Sequence, residues 1–186
     1  MFQMSTLEST KTLAPAGTTW AADPVHSNVV FEVEYAGVST FRGSFRDFGA
    51  TLEGSTLDGS ARVASVDVKD EQLSGHLQSP DFFDAERYPE IGFRADALAL
   101  GEDGVVSGAG ELTIKGVTKP VELKGRLASA PSVDPFGRER LGLTLETAID
   151  RTDFGVAWNA PNQSGGNYLG DDVTLKADLT FVRQAD

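Results

Sequence analysis

From Trp20 onward the apolar residues recur at every second position, and this regularity confines the chain to β structure. Val29, Phe31, Val33 and Tyr35 alternate with Asn28, Glu32 and Glu34. Successive side chains of a strand point to opposite faces, so the pattern marks a strand with one buried and one solvated side. Ile91, Phe93 and Ala95 repeat it against Gly92, Arg94 and Asp96. So do Val106, Gly108, Gly110, Leu112 and Ile114, and then Val117, Val121, Leu123 and Leu127. Late in the chain come Leu141, Leu143, Leu145 and Ile149, followed by Val173, Leu175, Ala177, Leu179 and Phe181. Weaker alternation fits Phe45 to Leu52, with a bulge at Asp47-Phe48, and Ala61 to Val68, for eight strands in all.

Turn residues separate these runs. Leu57-Asp58-Gly59, Glu102-Asp103-Gly104, Lys115-Gly116 and Pro135-Phe136-Gly137 tolerate positive φ or preset it. One short helix is expected after Ser79, with Pro80 at its first position, Asp81 and Asp84 near its positive end, and Tyr88-Pro89 as its stop. Thr152 to Asp171 shows no period and reads as a candidate lid, with Trp158 and Tyr168 placed to shield a mouth. Residues 1–17 are Ser/Thr-rich without an apolar period and read as a flexible tail, leaving 18–186 as one domain. Eight antiparallel strands can close into a barrel that has no free edges. Such a barrel either fills with its own side chains or holds one small ligand, and alternation does not choose between these.

Charge narrows the partners. The 186 residues carry 16 Lys and Arg against 28 Asp and Glu, a net −12, the wrong sign for nucleic acid or an anionic membrane surface. No run approaches the roughly 18 apolar residues of a membrane span. The first residues, Met1 to Glu8, have no basic start and no apolar stretch, so a cytoplasmic location is expected. With no cysteine there is no disulfide, thiol nucleophile or thiolate metal site.

Chemistry-bearing patterns are sparse. The two histidines, His26 and His76, stand fifty residues apart without an i,i+4 pair. Strand-start hydrogen bonding accounts for both, and no metal or cofactor is expected. Neither G-x-S-x-G, a Walker loop nor G-x-G-x-x-G occurs, so no catalytic residue is assigned. The apolar side says more. Phenylalanine supplies 11 of the 16 aromatics (11 Phe, 2 Trp, 3 Tyr), and Phe31, Phe45, Phe93 and Phe181 share the inward parity.

Five strings, in order, carry a resemblance. Trp20-Ala21-Ala22-Asp23-Pro24-Val25-His26-Ser27 runs into Val29-Val30-Phe31-Glu32-Val33. His76-Leu77-Gln78-Ser79-Pro80-Asp81-Phe82-Phe83-Asp84 precedes Tyr88-Pro89 and Phe93. Leu112-Thr113-Ile114-Lys115-Gly116-Val117-Thr118-Lys119-Pro120-Val121, then Arg151-Thr152-Asp153-Phe154-Gly155, then Gly170-Asp171-Asp172-Val173 complete the set. Together they resemble the YceI-like family over about residues 19–182. The resemblance implies an all-β, eight-stranded antiparallel lipocalin-like barrel with an elongated apolar cavity, polyisoprenoid or similar long-chain lipid as ligand, and a homodimer. Two positions depart from the family pattern: Ser74-Gly75 replaces an Arg-Asp pair, and Tyr35 stands where a His is frequent. Both bear on headgroup contacts rather than on the chain-binding cavity.

The candidate ligand-contacting residues are Phe31, Val33, Phe45, Leu77, Phe83 and Phe93 in the first half. In the second half they are Leu112, Ile114, Leu143, Ile149, Arg151, Phe154 and Trp158. Arg151 shares parity with Leu143 and Ile149 and is expected inward near a rim, meeting a phosphate or carbonyl oxygen or pairing with a carboxylate. Phe82 and Phe83 are adjacent, so at most one is expected inward. Each buried methylene contributes about 0.8 kcal/mol, so ten contribute about 8, enough for binding with few polar contacts. A −12 chain accepts a neutral quinone-like or fatty head more easily than a diphosphate. Two other readings compete with a non-catalytic lipid carrier: a solid-cored dimeric interaction module, and an enzyme acting on such a lipid through His26, His76 or Arg151.

Overall fold

The computed structural model describes residues 11–128 and 131–186. Its hydrogen-bonded segments join end to end into eight antiparallel strands. Strand β1 comprises Thr19–Ala22 and Asn28–Tyr35, β2 Ser39–Phe45 and Phe48–Glu53, and β3 Thr56–Arg62 and Val66–Asp67. Strand β4 comprises Glu90–Ala95 and Ala99–Leu100, β5 Val105–Ile114, and β6 Val117–Leu127 and Ser132–Val133. Strands β7 (Glu139–Asp150) and β8 (Leu169–Arg183) complete the set. Each pairs with the next from β1 to β8. Strand β8 then pairs with both halves of β1, and the sheet closes on itself. The bulge expected at Asp47-Phe48 falls at the break between the two halves of β2.

The two ends of the barrel differ. At one end Trp20, Leu52, Leu98, Val106, Leu143 and Phe181 are fully buried and form a solid plug. The Trp20 indole Nε1 donates to Thr18 Oγ1 at 2.8 Å, so the ring is buried with its polar atom satisfied. Leu13 and Ala14 are also buried, and the Ala14 N–H donates to the Gly54 carbonyl at 2.9 Å. Of the stretch 1–17 expected as a tail, residues 1–10 lie outside the described ones, and Leu13 and Ala14 belong to the core. A two-residue apolar pair is too short to show a period, which is why it reads as tail.

At the other end lie the β1–β2, β3–β4, β5–β6 and β7–β8 connections. The helix is here, but not where the sequence reading put it. Helix α1 is Glu71–Gln78, capped by Asp70, whose carboxylate accepts from the Leu73 N–H at 2.8 Å. Residues 79–88 instead form turns. Proline disfavours helical backbone in the residue before it, and Ser79 is extended (φ −74°, ψ 167°), so Pro80 ends a helix rather than starting one. Among the described residues no helix is long and apolar enough to cross a membrane.

Candidate functional site

Between the plug and the open end the barrel is hollow. The cavity measures about 800 Å³, within the range of about 300–1,000 Å³ usual for small-molecule sites. It overturns the solid-core reading. Twelve of the thirteen sequence-selected residues line it: Phe31, Val33, Phe45, Leu77, Phe83, Phe93, Leu112, Ile114, Ile149, Arg151, Phe154 and Trp158. Leu143 does not. It is 1% exposed within the plug, because inward parity selects a face of the sheet and not a height along the barrel.

Aromatic rings panel one side of the lumen. Phe41, Phe31, Phe45 and Phe83 follow one another at centroid separations of 6.4, 5.7 and 5.9 Å. Glycines let the rings lie against the wall. A Cβ on Gly110 would stand 2.6 Å from the Phe93 Cζ, so the absence of a side chain there makes room for the ring.

The open end is built from segments without strand geometry. Phe82 and Phe83 both line the cavity, contrary to the expectation for adjacent residues. They sit in a turn, where alternation does not apply. The His76 ring, on α1, stands edge-on to Phe82 and Trp158 at 5.0 and 4.8 Å, and its Nε2 lies 3.0 Å from Asp81 Oδ2. His26 lies beyond the plug, with Nδ1 2.7 Å from Asp23 Oδ2, so the two imidazoles occupy opposite ends. Strand-start bonding describes His26, which stands two residues before Asn28–Tyr35 and bonds to Asp23, but not His76, which is helical and lines the lumen.

Arg151 is 6% exposed, and its guanidinium serves the backbone. Nε donates to the Gly170 carbonyl at 2.9 Å, while Nη1 donates to those of Val156 and Trp158 at 2.8 and 2.9 Å. Nη2 lies 3.8 Å from Asp171 Oδ1 and is buried with no hydrogen-bond partner among the described residues. Burial pushes its pKa below the usual arginine value, while Asp171 and Asp150 pull the other way. Asp150 accepts from the Thr152 N–H and Oγ1, at 2.9 and 2.6 Å, and starts the tight turn Arg151–Phe154. Gly155 ends that turn at φ 74°, a conformation favourable to glycine.

The long segment after this turn is tied down by Asn159, whose side chain donates to the Leu169 carbonyl at 2.7 Å and accepts its N–H at 3.0 Å. Trp158, Ala160 and Tyr168 line the cavity from this segment. Sequence reasoning missed Tyr35, Ser39, Thr40, Phe41, Leu73 and His76 as lining residues. Phe41 carried a usable signal, alternating with Gly43 and Phe45, but the intervening glycine breaks the apolar run.

The YceI-like domain model matches residues 20–181 of the chain. The UPF0312 proteins of Staphylococcus aureus strains N315 and MW2 are each 33% identical over 171 residues, spanning 88% of this chain and 97% of theirs. The crystal structure of the Campylobacter jejuni YCEI protein aligns with a TM-score of 0.69 at 27% identity, over 80% of this chain and 88% of that one. Burkholderia cenocepacia BcnA gives 0.69 at 22% identity, over 86% and 98%. A polyisoprenoid binding domain from Saccharophagus degradans, implicated in plant cell wall breakdown, gives 0.68 at 15% identity, over 89% and 98%. These last two likenesses concern the fold.

Proposed function

Because this chain belongs to the YceI-like family, we propose that it is a non-catalytic carrier for a polyisoprenoid or similar long-chain lipid, held in the barrel lumen. The observation that carries this reading is the hollow of about 800 Å³ with an aromatic and aliphatic wall, plugged at one end. Such a wall rewards length of hydrocarbon, at about 0.8 kcal/mol for each methylene removed from water, and asks little of the head. Its fold neighbour from Saccharophagus degradans is described as binding polyisoprenoid, which agrees with that chemistry. Catalysis would call for convergent polar groups around a reacting atom, and the lumen offers mainly hydrocarbon.

Pairing of two copies belongs to the same reading, with a sedimentation mass of one or of two chains as its check. The central test is uptake of geranylgeranyl and longer prenyl lipids, followed by co-elution on gel filtration. Phe93→Asp places a carboxylate on the lumen wall, whose desolvation opposes a hydrocarbon guest. Uptake is expected to vanish in this variant while circular dichroism retains the barrel. A folded variant with unchanged uptake contradicts the placement.

A further inference from the structure

We infer that the protein docks on an electrically neutral (zwitterionic) lipid bilayer through one half of its open end, with the tip of the β1–β2 hairpin entering the hydrocarbon. The inference rests on the lipid-carrier reading above and concerns the surface from which the guest is drawn. Two segments build this half. Tyr35 to Phe41 carries no charged residue and neither does Phe154 to Gly170, although 24% of the chain is charged. They form one surface: the Ala36 N–H donates to the Tyr168 carbonyl at 2.6 Å, and the Tyr35 and Tyr168 rings stand 6.1 Å apart. Both tyrosines line the lumen and are also exposed, so the lumen wall continues outward onto the rim. Val38 goes further and is 82% exposed. Its N–H donates to the Tyr35 carbonyl at 3.1 Å, and Ala36 and Gly37 between them hold φ of 54° and 69°, closing a tight turn. Such turns favour Asn or Asp at the first of these positions, where a short polar side chain tolerates positive φ. Here an alanine stands there, and the only polar side-chain atom in Tyr35-Ala36-Gly37-Val38 is the tyrosine hydroxyl.

An apolar apex backed by two tyrosines matches a bilayer face, with hydrocarbon at depth and amphipathic rings collecting at the headgroup level. Charge decides the kind of bilayer. Docking strips water from what it covers, and this half of the rim has no charge to desolvate. The α1 side of the same end carries Asp70, Glu71, Asp81 and Lys115, and a molecule of net −12 is repelled by an anionic surface. The exposed apolar residues at the plugged end do not make a comparable face. There the Arg138 guanidinium lies over the Phe136 ring at 5.7 Å, and Val25 borders Asp23, His26 and Arg140. A long-chain lipid is sparingly soluble in water, so a mouth that meets the bilayer directly spares the guest a passage through solvent.

The chain has no cysteine, so Val38→Cys and Phe136→Cys each carry one polarity-sensitive fluorophore at a known place. With phosphatidylcholine vesicles the label at 38 is expected to shift to the blue, and the label at 136 to stay unchanged. Replacing part of the phosphatidylcholine by phosphatidylglycerol should weaken binding, and added salt should restore it. Val38 is exposed and does not line the lumen. Val38→Asp should therefore lower vesicle partitioning by about tenfold or more, while uptake of geranylgeraniol dispersed without vesicles holds. A label at 38 that stays silent with vesicles, or unchanged partitioning of Val38→Asp, overturns the inference and leaves the carrier reading standing. So does binding that strengthens with phosphatidylglycerol, or a label at 38 already shifted without vesicles because a second copy covers the rim. Failure of the unsubstituted protein to take up dispersed geranylgeraniol overturns the carrier reading itself, and this inference with it.

Discussion

The Phe31 ring lies across the backbone of its cross-strand partner Gly43, in the space a side chain would take: a Cβ there would stand 2.6 Å from the Phe31 Cε1. This relationship keeps the lumen open, because the ring is stowed against the sheet rather than projecting across the barrel. Gly43→Ala is expected to swing the ring inward and shorten the longest prenyl chain the protein accepts. The far end of a side chain beside a hollow can move, so the stability loss should stay near the low end of about 1–3 kcal/mol for overpacking. Chain-length selectivity, measured with a prenol series, checks it. An unchanged series contradicts the role given to Gly43.

Leu143 and Phe93 both carry inward parity, yet only Phe93 borders the hollow. Leu143→Ala removes methyl groups from the plug and should lower unfolding stability by about 2–5 kcal/mol. Lipid affinity should hardly change in that variant at a temperature where it stays folded. Urea denaturation beside a binding titration separates the two effects, and a Leu143→Ala protein of unchanged stability would count against a solid plug.

Arg151 holds Val156, Trp158 and Gly170 through their carbonyls, so it sets the position of the Trp158 wall. Arg151→Met should destabilise the protein by about 3 kcal/mol, since one buried and two half-buried carbonyls lose a charged donor. Arg151→Lys should fail to restore it, because one ammonium cannot reproduce the planar fork. Hydrogen exchange is expected to quicken most over 156–170. Uniform quickening across all strands would argue against a local staple.

How much of this was legible depended on whether a feature was periodic. The strand faces were, because residues such as Val33, Leu112 and Ile149 repeat at period two and the closed sheet obeys that period. Height along the barrel was not, so Leu143 in the plug looked the same as Phe93 in the lumen. The open end was read least well. There Pro80 permits either a helix start or a helix stop, and only the Asp70 cap with Leu73 and Leu77 four apart favours the helix that forms; Gly75, in the middle, weakens that signal. His76 was visible as a residue, but its place depends on Phe82, Asp81 and Trp158 arriving from two turns that follow no period.

Beyond the plug, Asp134 and Asp23 clamp Arg140 from both sides, at 2.8 and 2.9 Å. The Arg138 N–H and the Arg140 guanidinium hold the Asp134 carboxyl well below the usual carboxylate range, and Arg140 followed by His26 does the same for Asp23. Carboxylates depressed in the folded state stabilise it above their unfolded pKa of about 3.9, and that contribution fades as pH falls further. Asp134→Asn is therefore expected to melt several degrees lower at neutral pH. The gap should narrow progressively as pH falls below about 4, and close only where the Asp134 carboxyl itself is protonated in the folded protein, well below the usual carboxylate range. A gap independent of pH would assign the loss to shape rather than charge.

The central claim is that the lumen holds a long-chain lipid, and mass spectrometry of the purified protein tests it most directly, first under native conditions and then after organic extraction. The account predicts a stoichiometric adduct that the solvent releases as an isoprenoid or similar long-chain molecule. A protein that is empty as purified, and stays empty when prenyl lipids are added, would contradict it.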